Sequence, residues 1–446
     1  MSYAHSFPLS RYLADAPALL ARLPRESRWG TLEAVRDAAL TVTGFGRAVA
    51  VGDRVHVACG TGEVPGEIVA FNGSLATVMM EGRADGLRPG ARVRLGEPPC
   101  IAPTGSWLGR VVDGLGNPLD GRGELPRGAR ALPLRRPAPP AFGRRIMGAR
   151  LETGIRALDV FIPLCRGQRL GVFAASGVGK STLMGMLARF VTADVIVVGL
   201  IGERGREVRE FLDVILGKEG LRRAVVVVAT SDQPALARRR AAQATLTIAE
   251  FFRAEGKQVL CLLDSVTRLA HAQREIGLAA GEPATARSYT PSVFSELPAL
   301  LERAGPGPEG EGDITAVFTV LVDGDDHDEP VADAVRGILD GHLVLDRRIG
   351  ERGRWPAIDV LRSVSRALPR CHGAEENVLL TRARRLLGAY EGMAEMIRLG
   401  AYRAGSDPLV DEAITKFPEF EGFLEQGVGE RTGAAEAFVR LEGIVG

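Results

Sequence analysis

Ala174-Ala-Ser-Gly-Val-Gly-Lys-Ser181 stands directly after an apolar run and opens a helical pattern. A phosphate-binding loop needs small residues so that backbone N–H groups can approach phosphate oxygens. The helix that follows adds its N-terminal dipole. In that reading Ala174, Ala175, Ser176, Gly177, Val178, Gly179, Lys180, Ser181 and Thr182 surround the phosphates of a nucleotide. Lys180 would reach the β- and γ-phosphates, and Ser181 would ligate Mg²⁺. The match is imperfect, because Ala174 occupies the position of the usual first Gly. The competing reading, a Gly-rich structural turn with an incidental Lys, does not account for the strand–loop–helix setting or the GKST ending.

A second apolar run, VLCLLD, ends in Asp264. An acidic residue at the carboxyl end of a strand beside a phosphate loop suits coordination at a Mg²⁺ site, although apolar strands often end in Asp with no such role. A third run, Val195–Ile201, leads into Gly202-Glu203-Arg204-Gly-Arg-Glu. A carboxylate emerging there could polarise a water for attack on the γ-phosphorus. The alternative is a salt-bridged surface Glu, one of several acids in this stretch.

The elements that position these residues follow from periodicity. Strand-like runs recur at Leu170–Ala174, Val195–Ile201, Val225–Ala229, Val259–Leu263 and Ile314–Val322, with helical patterns between them. Leu183, Met186, Leu187, Phe190 and Val191 fit one helical face. Buried strands alternating with helices predict a parallel α/β sheet. Residues 305–312 (GPGPEGEG) read as a flexible loop inside it, and residues 113–143 as a long connecting arm rich in Gly, Pro and Arg. From about 31 to 96, short runs at Ala48–Val51, Arg54–Ala58, Glu67–Phe71 and Ala76–Met80 are split by Gly and Asn, which predicts a small β-barrel. A nucleic-acid-binding barrel would carry stacking aromatics; this stretch has only Phe45 and Phe71, both in apolar settings that favour core packing. Residues 9–23 suggest a short amphipathic leader that binds a partner or packs on its own domain. Beyond about 370, NVLLTRARRLLGAYEGMAEMIRLG and DPLVDEAITKF predict a C-terminal helical domain. The expected layout is therefore leader 1–28, barrel 29–96, α/β domain 97–368 and helical domain 369–446.

Composition excludes several function classes. With 56 basic and 55 acidic residues the net charge is +1, which rules out a chain-wide polybasic nucleic-acid binder. The only lysines are Lys180, Lys218, Lys257 and Lys416, so each is worth inspecting. The 5 cysteines form no CxxC pair, and the odd number argues against a disulfide framework or a structural zinc site. No secretory signal is visible, and no uninterrupted apolar segment approaches spanning length, so a cytoplasmic protein is expected.

The set ASGVGKST, IGERGREVREF, LLDSVTRLAHAQREIGLAAGEP, YTPSVFSELPALLERAG and SVSRAL resembles the rotary and secretion ATPases related to the F1 catalytic subunit. GERGREVREF and EIGLAAGEP are similar to the type III export branch, and GDDHDEPVADAVRGILDGHLVLDR to its flagellar members. The resemblance runs from the barrel nearly to the C-terminus. It implies an N-terminal barrel, a RecA-like ATPase core and a C-terminal helical domain, working as a homohexameric, Mg²⁺-dependent ATP hydrolase for flagellar protein export. It further implies a regulatory stator-like protein at the leader, a central stalk protein, a membrane export gate, and export substrates with their chaperones. No specific nucleic acid is implied, and the location is peripheral, at the inner face of the cytoplasmic membrane at the flagellar base.

Residue by residue, the resemblance matches Lys180 and Ser181 to the phosphate-loop Lys and hydroxyl ligand. It matches Glu203 to the catalytic carboxylate, Arg204 to the Arg beside it, and Asp264 to the Mg²⁺-site acid. Arg366, in SVSR, matches the arginine finger given to the neighbouring subunit. Trp355 and Tyr402 fall where the family holds aromatics near adenine, although by sequence alone both read as core residues. The departure is Ala174-Ala175, where relatives often carry a Gly; this puts loop geometry and affinity in question more than activity. Three other readings remain: an injectisome secretion ATPase sharing every catalytic motif, an RNA translocase of the termination-factor type, and a non-catalytic nucleotide-binding subunit. Glu203 argues against the last, and the aromatic-poor barrel against the translocase.

Overall fold

The computed structural model of the protein describes residues 28–36, 39–47, 49–60, 62–82, 84–322 and 329–446. Apart from Arg28, the leader expected over 1–28 lies outside the described residues, as does the 323–328 portion of the GDDHDEP stretch. The chain divides into two compact units at Pro98/Pro99.

The first unit is a closed six-stranded barrel of β1 (Trp29–Arg36), β2 (Ala39–Thr43), β3 (Arg54–Cys59), β4 (Gly62–Asn72), β5 (Leu75–Met80) and β6 (Arg92–Leu95). Its strand order is β1-β2-β5-β4-β3-β6, and β6 pairs back onto β1, so no edge remains open. Two-residue alternation sends Leu32, Leu40, Val42, Val55, Val57, Ile68, Val78 and Val93 inward, all without exposed surface. Of the run expected at Ala48–Val51, Ala48 lies outside the described residues; Val49 and Ala50 are irregular and Val51 turns, so these three form no strand. Phe45 is buried as expected, but Phe71 is 40% exposed at the end of β4, so core packing explains only one of the two aromatics.

The second unit is built on a nine-stranded sheet. Its main path runs β14 (Ile358–Ser365), β13 (Gly341–Leu345), β8 (Arg169–Ala174), β12 (Asp313–Leu321), β11 (Val259–Asp264), β9 (Val195–Glu203), β10 (Ala224–Thr230), β7 (Val111–Val112). Strands β7 to β13 pair in parallel, and β14 is antiparallel to β13. Both faces are covered, which is why the strands read as continuous apolar runs. Leu170, Val172, Ile196, Val198 and Leu200 face one core, while Phe173, Val195, Val197 and Ile201 face the other.

The first core is covered by α2 (Lys180–Phe190) together with the C-terminal helices α8 (Ala374–Arg398), α9 (Pro408–Leu424) and α10 (Ala434–Val445), through Leu183, Leu187, Leu380, Leu387, Phe420, Phe438 and Leu441. The second core is covered by α4 (Ala235–Ala254), α5 (Val266–Ala279), α6 (Pro291–Leu301) and α7 (Pro330–Ile338). Two further helices of this unit are short, α1 (Arg156–Phe161) and α3 (Gly205–Glu210). No helix among the described residues is long and apolar enough to cross a membrane.

Two sequence expectations are corrected here. Strands β13 and β14 escape the sequence reading: β13 is only 5 residues long, and β14 alternates buried Ile358, Val360, Ser363 and Ser365 with residues that are partly or fully exposed, so it lacks a sustained apolar run. The 305–312 loop is a pinned hairpin rather than a flexible one. Gly305–Pro306 pairs antiparallel with β12, and Arg145 Nη2 donates to Glu311 O (2.8 Å), Gly312 O (3.1 Å) and Asp313 Oδ1 (2.7 Å).

Candidate nucleotide site

Strand β8 delivers the phosphate-loop residues to the carboxyl edge of the sheet, and α2 begins at Lys180. Between them Gly177 (φ +82°) and Gly179 (φ +86°) adopt left-handed backbone that a Cβ would strain. At Gly179 a Cβ would also lie 2.8 Å from the Trp355 ring. Neither Ala174 nor Ala175 has positive φ, so their methyl groups impose no backbone strain where relatives carry Gly. Ala174 is held in the sheet between Leu321 and Leu345. Ser176 O accepts from Arg347 Nη2 at 3.0 Å, which fixes the far side of the loop.

Glu203 ends β9 and Asp264 ends β11, so parallel pairing aligns both carboxylates with the loop at one edge. Lys180 Nζ forms an ion pair with Asp264 Oδ1 and lies 3.7 Å from Glu203 Oε1. Asp264 is 3% exposed, and Oδ1 also accepts from Thr319 Oγ1 at 2.7 Å. Glu203 Oε1 is buried and lacks a hydrogen-bond partner. Burial, reinforced by repulsion from Asp264 and resisted by Lys180, pushes the Glu203 carboxyl up to about 7. A single ammonium thus serves two buried carboxyls, leaving Glu203 near the point where it can take or release a proton at neutral pH.

A cleft lies over this cluster, lined by Ser176, Gly177, Gly179, Lys180, Ser181, Thr182, Glu203, Arg204 and Arg268 among others, while Val178 of the loop is buried instead. Arg204 is 76% exposed at its side chain and pairs with Glu207 at 3.5 Å. Gly202 (φ +71°) carries the backbone into Glu203, and the aliphatic part of Arg268 fills the space its Cβ would take, 2.7 Å away. Arg268 Nε is buried without a hydrogen-bond partner. Arg268 and Arg347 escape the sequence reading. Arg268 sits four residues after Asp264 on α5, and that spacing was the available signal; nothing local marks Arg347.

Among the described residues no group of three or more His, Cys, Asp or Glu could hold a metal ion by itself. The oxygens present nonetheless fit Mg²⁺. Ser181 offers a hydroxyl, Asp264 a buried carboxylate, and Glu203 an oxygen without a partner. Mg²⁺ usually takes one or two such ligands and completes its shell with water and substrate phosphates.

Trp355 packs on Gly179 and Gly350, and its carbonyl accepts from Gln426 N–H at 2.7 Å, so it borders the phosphate loop although half-exposed. Tyr402 does not line the cleft. It lies in the turn before α9, where its hydroxyl donates to Asp411 Oδ1 at 3.0 Å. Arg366 is exposed, follows β14, and donates its backbone N–H to Asp340 O at 2.9 Å. The register places Ser365 beside Gly341, whereas Ala174 pairs with Leu345. Four residue steps separate those levels, about 13 Å along the strands at roughly 3.3 Å each. Arg366 and the phosphate loop of its own chain therefore lie at opposite edges of the sheet.

Residues 154–365 match the ATP synthase alpha/beta family, nucleotide-binding domain, and residues 374–443 match the T3SS EscN ATPase C-terminal domain. A flagellum-specific ATP synthase of Caulobacter vibrioides is 54% identical over 431 residues, covering 95% of this chain and 97% of that protein. A type 3 secretion system ATPase of Xanthomonas euvesicatoria is 45% identical over 422 residues, 93% of this chain and 95% of that one. The assembled ATPase EscN of the enteropathogenic E. coli type III secretion system superposes with a TM-score of 0.88 at 37% identity, covering 94% of this chain and 100% of that one. EscN in complex with its central stalk EscO gives 0.84 at 36% identity, with the same coverage.

Proposed function

Because the chain belongs to the family of flagellum-specific ATP synthases and type III secretion ATPases, we propose that it hydrolyses ATP to energise protein export at the base of the bacterial flagellum. The observation that carries this reading is the meeting of Lys180 with both Asp264 and Glu203 at the mouth of the phosphate loop. That arrangement suits phosphoryl transfer, in which positioning and electrostatics do most of the catalysis.

In this reading the backbone N–H groups of Ala175 to Ser181 and the start of α2 receive the phosphates, and Lys180 turns from Asp264 toward them. Ser181 and Asp264 would hold Mg²⁺, which supplies neutralising positive charge to phosphate oxygens when bound. Glu203 accepts the proton of the attacking water at Oε1, and its raised pKa keeps that transfer balanced near neutral pH. Arg204, at the cleft mouth, and Trp355, against the loop, border the bound nucleotide; Tyr402 serves it only if α9 moves.

Arg366 acts on the next subunit's nucleotide, which the opposite-edge placement supports, since it cannot serve its own. The working unit is then a homohexameric ring. The EscN assemblies, one with a central stalk, support that ring and a stalk partner for this chain. A stator-like regulator, the export gate, and substrates with chaperones complete the proposed partners, with the ring peripheral to the inner face of the membrane. The test is ATP turnover by the purified chain with and without Mg²⁺, together with gene deletion scored for flagella and for effector secretion. Loss of effector secretion with intact flagella would assign the chain to an injectisome instead. Strong stimulation by RNA would favour the translocase.

A further inference from the structure

A second cleft, of about 440 Å³, separates the segment that follows β13 from the C-terminal helices. One wall is the short helix Arg347–Glu351, the turn after it and β14; the other is α8 and α9. Its apolar lining comes from buried Val360, Leu387 and Leu424 and from the rings of Tyr390 and Phe417, which stack with centroids 3.6 Å apart. None of its lining residues lines the nucleotide cleft.

Arg354 stands out in this lining. It is only 7% exposed, and its Nε and Nη1 are buried without a hydrogen-bond partner. Nε lies 3.2 Å from Glu421 Oε1, close enough for an ion pair but not aligned as a hydrogen bond. Burial disfavours the charge on Arg354, and Glu421 and Asp359 offset this only in part while Arg352 adds repulsion. Two neighbouring carboxylates are already engaged. Asp346 Oδ1 accepts from Arg348 N–H at 2.7 Å, and Asp359 Oδ1 accepts from Leu361 N–H and Arg362 N–H at 3.0 Å each. A buried cation with unmade hydrogen bonds is costly, and an anionic oxygen is the acceptor that completes it best.

We propose that this cleft binds a small organic oxyanion, a carboxylate or phosphate on an apolar body, with Arg354 as its anchoring cation. Its volume falls within the roughly 300–1,000 Å³ of small-molecule sites, and apolar walls around one polar anchor match their make-up. The rim carries charges of both signs, Arg348, Arg352, Arg362 and Arg398 against Glu351 and Glu391. The cleft is therefore no general well for polyanions; it selects one anionic head with an apolar remainder.

Two short routes connect it to the nucleotide site. Trp355 follows Arg354 directly and packs on Gly179 and Gly350. Arg347, which opens the short helix, donates to Ser176 O at 3.0 Å. An oxyanion that fixes Arg354 also fixes the residue against the phosphate loop, so each ligand changes the other's affinity by the same factor. This coupling rests on the phosphate loop being the nucleotide site; binding in the second cleft does not.

The test titrates the full-length protein, its nucleotide site filled with Mg²⁺ and ADP, with phenylacetate, phenyl phosphate, inorganic phosphate and benzyl alcohol, and follows binding by calorimetry. At least one aromatic anion should bind with a Kd of about 1 mM or tighter, with inorganic phosphate and benzyl alcohol about tenfold weaker or worse. The tighter of the two aromatic anions identifies the head group. Arg354→Gln should weaken its binding about tenfold or more. Ala394→Trp fills the cleft from α8 and leaves Arg354 intact; it should do the same, and it keeps the test decisive if Arg354→Gln fails to fold. Absence of binding by both aromatic anions, the result if water alone fills the cleft, would overturn the site, as would binding that neither variant weakens. Benzyl alcohol that binds as tightly as the anions would overturn Arg354 as the anchor. The bound anion should change ADP affinity about fivefold or more, and an unchanged affinity would overturn the coupling. A chain that binds no ADP would show the failure of the nucleotide reading separately, with binding in the second cleft still measurable.

Discussion

Glu203→Gln exchanges one oxygen for an amide nitrogen and keeps the size and hydrogen-bonding capacity of the side chain. In the parent, burial and the charge of Asp264 push the carboxyl from its ordinary 4.5 up to about 7, with Lys180 opposing. At about 1.4 kcal/mol per pH unit, keeping Glu203 ionised costs the nucleotide-free fold on the order of 3 kcal/mol. The folded state holds this proton more tightly than the unfolded chain. The cost is therefore absent below the unfolded value near 4.5, grows as pH rises, and is complete above about 7. Gln never incurs it. Compared at about pH 5 and about pH 8, the melting temperature of the variant relative to the parent should rise by a few degrees, because domains of 150–250 residues shift by roughly 2–4 °C per kcal/mol and this larger unit shifts by less. Turnover should fall about 10²-fold or more while ATP binding persists. Parental turnover would refute the catalytic role. A melting difference identical at both pH values would refute the electrostatic account, and lost ATP binding would mark a structural Glu.

Lys180→Ala should nearly abolish turnover, since it removes the ammonium aimed at the phosphates, and should lower stability because Asp264 loses its charge partner; steady-state turnover and thermal melting check both. Gly179→Ala should weaken nucleotide binding at least tenfold in a titration, because the new Cβ meets both a left-handed backbone and the Trp355 ring 2.8 Å away. Arg366→Ala should keep nucleotide binding yet lose on the order of 10³-fold in turnover. Mixing it with Lys180→Ala subunits should restore part of the activity, and mixed rings that stay inactive would defeat a role in trans. Removing residues 1–24 should leave the melting of the described core unchanged and weaken capture of the regulatory partner in a pull-down.

Much of this protein is legible in the local order of its residues. The phosphate loop is legible because its parts are contiguous: an apolar strand, two glycines at the left-handed positions, then Lys and a hydroxyl opening a helix. Glu203 and Asp264 are legible for a related reason, since each ends a buried strand of a parallel sheet, and such sheets present their carboxyl ends together. The barrel is legible through short runs split by Gly and Asn, although Trp29–Arg36, Ala39–Thr43 and Arg92–Leu95 escape that pattern. What sequence could not decide depends on contacts between distant segments. Trp355 lies 176 positions after Gly179 and touches it only because β13 and β14 bring the chain back beside β8. Tyr402 fits an aromatic position by pattern, yet Asp407 and Asp411 hold it in its own turn. The shift of Glu203 toward neutrality needs burial and the charges of Asp264 and Lys180, all from separate strands and loops. The separation of Arg366 from its own site is likewise a matter of register between β8, β13 and β14. Short-range chemistry is written in neighbouring residues, whereas burial, charge coupling and register exist only once the sheet has closed.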